Sequence, residues 1–353
     1  MITLLISIAA LILGYFVYGR FVEKVFGPDK NRLTPAHSKA DGIDYVLLPS
    51  WKVFMIQFLN IAGTGPIFGA ILGARFGPSC YLWIVLGCIF GGAVHDYMTG
   101  MLSVRSGGVG LPELVGEHLS RKAKPFAIGF SALMLLLVGA VFVYSPALII
   151  GDLTSKSFDT TFIWVAIILV YYVVATFVPI DKIIGKIYPV FAFALLFMAV
   201  SLLACLIIKW PTNMPELWDG LQNRNPSAGH IFPCLFITIA CGAVSGFHAT
   251  QSPLMARCMD NEKLGRPIFY GAMVTEGIVA LIWAAVSSYF FFCGGNAEMG
   301  AEGVSAAPQV VTIVSKHWLG VLGGLLAIMG VVAAPITSGD TALRSVRLIV
   351  AEA

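Results

Sequence analysis

Residues 53–74 are apolar over a length that reaches across a bilayer, yet the centre of the run reads Ile61-Ala62-Gly63-Thr64-Gly65-Pro66-Ile67-Phe68-Gly69. These two properties pull against each other. A segment in hydrocarbon must satisfy its own backbone, and within one segment only a helix does so. Gly63 and Gly65 leave helical dihedrals at little steric cost, while Pro66 lacks an N–H and crowds the carbonyl of Ala62. The expected result is a helix that unwinds for a few residues at membrane depth and exposes amides and carbonyls. Broken helices of this kind build the substrate and ion sites of secondary transporters. Small residues also serve plain helix packing, so one such segment does not decide the matter. A second stretch, Ala240-Cys241-Gly242-Ala243-Val244-Ser245-Gly246-Phe247-His248-Ala249-Thr250-Gln251-Ser252-Pro253, interrupts another apolar run in the same way.

The rest of the chain demands the same solvent. It is 58% hydrophobic and 12% charged, against a charged share of roughly a quarter in soluble proteins. The chain is therefore an integral membrane protein. Its basic residues lie between apolar segments and form no nucleic-acid-binding tail. The seven cysteines include no CxxC pair and read as small buried hydrophobes, neither a disulfide framework nor a zinc site. There is no phosphate-binding P-loop, so ATP drive is not expected. Residues 2–18 lack a basic n-region and an A-x-A-like cleavage site and read as a retained first span.

Further spans are expected at about 81–102, 126–150, 162–178, 187–208, 231–255, 268–293 and 318–336, about nine in all, most near the roughly 20 residues a helix needs to cross. A polar connection covers residues 20–52. Within residues 105–125, Leu111 to Leu119 suggests a short interfacial helix with Pro112 in its first turn. Most of the 22 Lys and Arg fall in one alternating set of loops, and only Arg75, Lys156, Lys209, Arg224 and Lys316 fall in the other. By the positive-inside rule the N-terminus is outside and the C-terminal end cytoplasmic. The two interrupted helices are five spans apart, so they enter from opposite sides, as an inverted-repeat transporter requires.

The chain resembles the carbon starvation protein CstA family of bacterial and archaeal membrane transporters. The resemblance rests on Gly63-Thr64-Gly65-Pro66-Ile67, on Gly91-Gly92-Ala93-Val94-His95-Asp96-Tyr97 with Ser103-Val104-Arg105, on Ser245 to Pro253, and on Thr337-Ser338-Gly339-Asp340-Thr341 through Arg344 to Arg347. It covers nearly the whole chain. It implies uptake of short peptides or of pyruvate when nutrients run short, across the cytoplasmic membrane. The implied fold is all-α, with the five-plus-five inverted repeat of the amino acid–polyamine–organocation superfamily. In one transmembrane domain, residues 1–50 would supply an extra helix and a cytoplasmic connection, residues 51–209 the first repeat, and residues 231–353 a second repeat lacking its last helices.

Amide-bearing ends of broken half-helices suit an anionic substrate group. The expected substrate-binding residues are Gly63, Thr64, Gly65, Pro66, Ser245, Gly246, Phe247 and His248, with Phe247 closing over a small carboxylate or peptide. His95 and Asp96 are ionisable residues inside a span, where charge is costly. They read as a coupling pair or as a structural tie, and being neighbours on a helix they are not expected to partner each other. His248 has the chemistry to titrate near neutral pH, and Glu276 is a further candidate. The resemblance adds Thr337, Ser338 and Asp340, at the cytoplasmic end of the last span, as oxygen ligands that would face carbonyls of the first broken helix and hold sodium. Asp340 and Arg344, four apart, equally fit a salt bridge. No cofactor is expected beyond a bound sodium ion or a transported proton. The expected partners are a small-molecule substrate and the lipid bilayer, not nucleic acid, and the sequence leaves the oligomeric state open. A membrane metalloenzyme, or a channel or sensor, would use the same polar residues, but no HExxH-like spacing supports the enzyme.

Overall fold

The computed structural model describes residues 1–154, 160–176, 184–243 and 248–352, and all regular structure among them is helical. Helices α1 (Ile2–Phe16) and α2 (Tyr18–Phe26) are offset at Val17 and together make one apolar stretch, Ile2–Phe26. Next come α3 (Ser50–Ile61) and α4 (Gly65–Ala74), bent by 52° at the Gly-Thr-Gly-Pro break. Helix α5 (Ser79–Arg105) widens to a π-type turn at Gly87–Gly92. The short α6 (Leu111–His118) carries Pro112 in its first turn, as its sequence suggests.

Then follow α7 (Lys124–Thr154), α8 (Thr161–Thr176), α9 (Ile184–Lys209), α10 (Phe236–Ala243), α11 (His248–Ala256), α12 (Gly271–Phe292) and α13 (Ala307–Glu352). Gly320 breaks α13 near its start with φ 66°, a dihedral that glycine adopts without the Cβ penalty of other residues. Beyond that kink the helix runs on as the apolar span Gly323–Ala351.

Six helices among the described residues are long and apolar enough to cross a membrane, and the α3–α4 pair makes a seventh when counted as one span. Among the described residues, two of the nine expected spans are represented by the apolar helices Thr161–Ala175 and Ile231–Ala240, each close to residues outside the described set. Helix α12 is the hub. It is apolar on nearly all sides, the pattern of a helix buried all round, and it packs against α1, α3, α4 and α5. Of its span window 83% is buried, against 33% for Ile2–Phe26. Trp283 and Phe290 on α12 are wholly buried. Helix α13 lies against α7, α9 and α3, and α11 against α5 and α3.

The connections sort into two groups that meet at opposite ends of the bundle. At one end, Thr34 donates to the Met259 carbonyl at 2.6 Å, Lys39 to Gly107 at 2.9 Å and Arg257 to Gly108 at 2.7 Å. At the same end Asp44 pairs with Arg347 at 3.0 Å. At the other, Arg224 N–H bonds to the Phe76 carbonyl at 3.1 Å, Lys209 pairs with Glu298 at 2.6 Å, and the Met1 ammonium meets Glu216. These are the loop groups that the distribution of Lys and Arg separates.

Candidate functional site

Helix α3 loses its ladder where the sequence says it must. The Ala62 N–H still bonds to the Phe58 carbonyl at 2.9 Å, but Ala62 itself sits at φ −77°, ψ 38°. Pro66 has no N–H to continue the ladder. Helical bonding resumes when Phe68 N–H reaches the Thr64 carbonyl at 2.8 Å. Thr64 lies at the turn, and Gly65 and Pro66 open α4. Gly63 is a point of close approach: a Cβ there would lie 3.0 Å from the Phe142 ring of α7 and 3.1 Å from Ser338 Oγ of α13.

Ser338 reaches the same break. Its hydroxyl is 2.7 Å from the Asn60 carbonyl, in the last turn of α3, and 2.8 Å from its own Ala334 carbonyl. This meets the expectation that a hydroxyl of the last span faces a carbonyl of the first broken helix. Its place along the span is corrected. Thr337, Ser338 and Asp340 do not end the helix: the apolar span Gly323–Ala351 runs through them, and they sit near its middle, wholly or nearly buried. A polar run survives there because its hydroxyls are absorbed locally, Thr337 by the Ala334 carbonyl at 2.9 Å and Thr341 by the Ser338 carbonyl at 3.0 Å. Asp340 accepts from the Tyr188 hydroxyl of α9 at 2.5 Å, while its other oxygen is buried without a hydrogen-bond partner among the described residues. Arg344 donates to the Ala175 carbonyl at 3.0 Å.

A second group of buried polar side chains joins three helices. Asp96 on α5, His248 on α11 and Glu276 on α12 are each 0% exposed. His248 Nδ1 lies 3.3 Å from Asp96 Oδ2, and His248 Nε2 lies 3.5 Å from Glu276 Oε2. Neither contact has hydrogen-bond geometry: both ring nitrogens, Asp96 Oδ2 and both Glu276 oxygens lack a hydrogen-bond partner among the described residues. The imidazole is thus held between two carboxylates by proximity alone. An isolated charge in such surroundings costs several kcal/mol, so the three protonation states are bound to one another.

The relation of His95 to Asp96 is also corrected. Although adjacent on α5, they do meet, His95 Nδ1 lying 3.1 Å from Asp96 Oδ1. Asp96 is buried, whereas the His95 ring is 36% exposed. Successive residues point about 100° apart around a helix axis, yet the two side chains reach each other across that angle.

One face of α3 connects the two groups. Gln57 and Asn60, three apart and therefore neighbours on that face, are both fully buried. Gln57 donates to Ser252 Oγ at 3.1 Å, one turn after His248 on α11. The Asn60 side-chain amide and both polar atoms of Gln251 have no hydrogen-bond partner among the described residues. Sequence reasoning missed Gln57, Asn60, Gln251 and Tyr188. The 57/60 and 248/251/252 spacings would have placed the first three on single helix faces; nothing in the sequence joins Tyr188 to Asp340. The expected substrate residues Ser245, Gly246 and Phe247 lie outside the described residues. Among the described residues, no group of three His, Cys, Asp or Glu side chains is arranged to hold a metal ion.

Known proteins extend this picture. The sequence model of the family described as carbon starvation protein CstA matches residues 1–163 and 152–318. An uncharacterized membrane protein of Haemophilus influenzae is 45% identical over 332 residues, covering 80% of this chain and 90% of the relative. The peptide transporter CstA of Escherichia coli is 29% identical over 378 residues, which is 87% of this chain and 54% of the relative. The pyruvate/proton symporter BtsT of the same organism is 28% identical over 345 residues, 80% of this chain and 48% of the relative. The chain therefore spans about half the length of these two transporters. With its long apolar helices and transporter relatives, it is a multi-pass protein of the inner membrane. It belongs to the carbon starvation protein CstA family.

Proposed function

We propose that the chain forms the core of a secondary active transporter that imports short peptides or pyruvate-like carboxylates under nutrient limitation, driven by protons or sodium. The observation that carries this reading is the break at Ala62–Thr64, set against Ser338 on one side and linked through Gln57 to the helix of His248 on the other. Unwound backbone inside a bundle is tolerated where it lines a ligand or ion path. Unpartnered buried amides of Asn60 and Gln251 are acceptors and donors held ready in apolar surroundings. A hydrated or carboxylate-bearing ligand would satisfy them.

In this reading Gly63, Thr64, Gly65 and Pro66, with Ser245, Gly246 and Phe247, contact the substrate. The reading keeps a nine-span, inverted-repeat plan in which residues 231–353 belong to the second repeat. The Asn60 carbonyl, Ser338 and the free oxygen of Asp340 form a hard-oxygen set suited to sodium, while Asp96 with His95 suits protons. Relatives named for peptides and for pyruvate with protons favour a carboxylate-bearing solute. Uptake into proteoliposomes, comparing labelled pyruvate with labelled dialanine under imposed proton or sodium gradients, tests the proposal. Accumulation of either solute under one gradient supports it; absence of uptake of both under every gradient overturns it.

A further inference from the structure

We propose that His95, Asp96, His248 and Glu276 form an ordered proton relay that is entered at His95, ends on Glu276 and is switched at His248. The relay deepens the coupling role given above to Asp96; it depends on the transport reading for its use, not for its existence. The four groups lie in a line of alternating base and acid. His95 Nδ1 is 3.1 Å from Asp96 Oδ1, Asp96 Oδ2 is 3.3 Å from His248 Nδ1, and His248 Nε2 is 3.5 Å from Glu276 Oε2. Only the first member has an accessible ring; the other three are at 0–1% side-chain exposure. Entry is therefore at one end only.

The chemistry balances with protons alone. A proton adds to His95 Nε2, and the Nδ1 proton passes to Asp96 Oδ1. A half-turn of the carboxyl presents that proton to His248 Nδ1. His248 then releases its Nε2 proton to Glu276 Oε2. Each imidazole ends neutral with its proton on the opposite nitrogen, Asp96 is again a carboxylate, and Glu276 is a neutral acid. The Cys88 thiol also packs against this part of α12, beside Gly277.

The relay rests open. Charge-assisted bonds between nitrogen and carboxylate close to about 2.7–2.9 Å, and both joints of His248 are longer than this and lack hydrogen-bond geometry. The first joint, His95 to Asp96, is a hydrogen bond. A proton can therefore load as far as Asp96 and stop. Closing the inner joints takes a ring rotation with a shift of α11 of roughly half an ångström. Helix α11 is tied to the broken helix by the Gln57–Ser252 bond, so movement at the break is carried one turn along α11 to His248. The device transfers protons inward when the broken helix moves.

Infrared spectroscopy after a pH jump, on the full chain in lipid nanodiscs, tests the relay. The carboxylic acid band of Glu276 is assigned by its loss in Glu276→Gln. In His95→Gln the final extent of Glu276 protonation should stay within about twofold of the parent, while its approach slows tenfold or more. Gln57→Ala should slow it as well, with His95 intact. Protonation of Glu276 at the parental rate in His95→Gln would overturn the relay. Independently of any variant, magic-angle NMR of nitrogen-labelled histidine should show His95 and His248 each exchanging between tautomers as pH changes; a single fixed tautomer at His248 contradicts the proposal. If vesicles show no uptake while Glu276 loads through His95, the transport reading fails and the relay stands.

Discussion

Replacing Gly63 by alanine isolates the contact on which the broken helix depends. Gly63 has no positive φ, so alanine adds no backbone strain, only a methyl group. That methyl would lie 3.0 Å from the Phe142 ring and 3.1 Å from Ser338 Oγ, inside the roughly 3.5–4.0 Å at which carbon atoms attract. Overpacking of this kind costs about 1–3 kcal/mol. Displacing Ser338 Oγ also endangers its 2.7 Å bond to the Asn60 carbonyl, worth about 0.5–1.5 kcal/mol. Ser338→Ala removes the obstructing oxygen and that bond together. The double variant should therefore be less destabilised than the sum of the single variants, by about 1 kcal/mol. Reversible unfolding in mixed detergent micelles measures all four corners of the cycle. Costs that add to within about 0.3–0.5 kcal/mol would mean that Gly63 and Ser338 do not meet, and the geometry of the break would be wrong.

At the membrane edge, Glu262 accepts from Arg32 at 3.0 Å, Arg105 at 3.3 Å and the Asp29 amide at 2.9 Å. Glu262→Gln should cost about 2–3 kcal/mol, less than a fully buried pair because Arg32 is partly exposed, and should speed tryptic cleavage after Arg32; unchanged cleavage would refute a holding role for Glu262. In the same connection, burial resists the charge of Asp41, but the amides of Tyr45, Ile43 and Asp44 hold its carboxyl below the usual aspartate range. With the folded value depressed, this loop is stabilised above the unfolded aspartate range and loses that stabilisation as pH falls through the lowered value. Hydrogen exchange at residues 43–45, corrected for intrinsic rates, should lose protection in acid and be insensitive to pH in Asp41→Asn.

The break was legible because glycine and proline act on their own backbone: Gly63-Thr64-Gly65-Pro66 predicts a bend, and α3 and α4 meet at 52°. The grouping of the loops into two ends was legible because loops of one charge class meet, as the Thr34–Met259 and Arg257–Gly108 bonds show. Family membership was legible in the motifs around these residues. Other features depend on packing between helices and carry no spacing signal. Glu276 is a lone acid in an apolar run, and only the placement of α12 beside α11 brings it to His248. The polar run Thr337–Asp340 looked like a helix end because composition does not reveal hydroxyls bonded back to their own helix.

The central claim is that solute movement through the broken helix is coupled to the buried acid–base groups beside it. Coupling is reciprocal, so it is read most directly in reverse. Proteoliposomes holding a pH dye, with no imposed gradient and the voltage clamped by potassium and valinomycin, are given pyruvate or dialanine outside. The account predicts that the lumen acidifies in step with entry of the transported solute. Solute entry with no change in internal pH would contradict it.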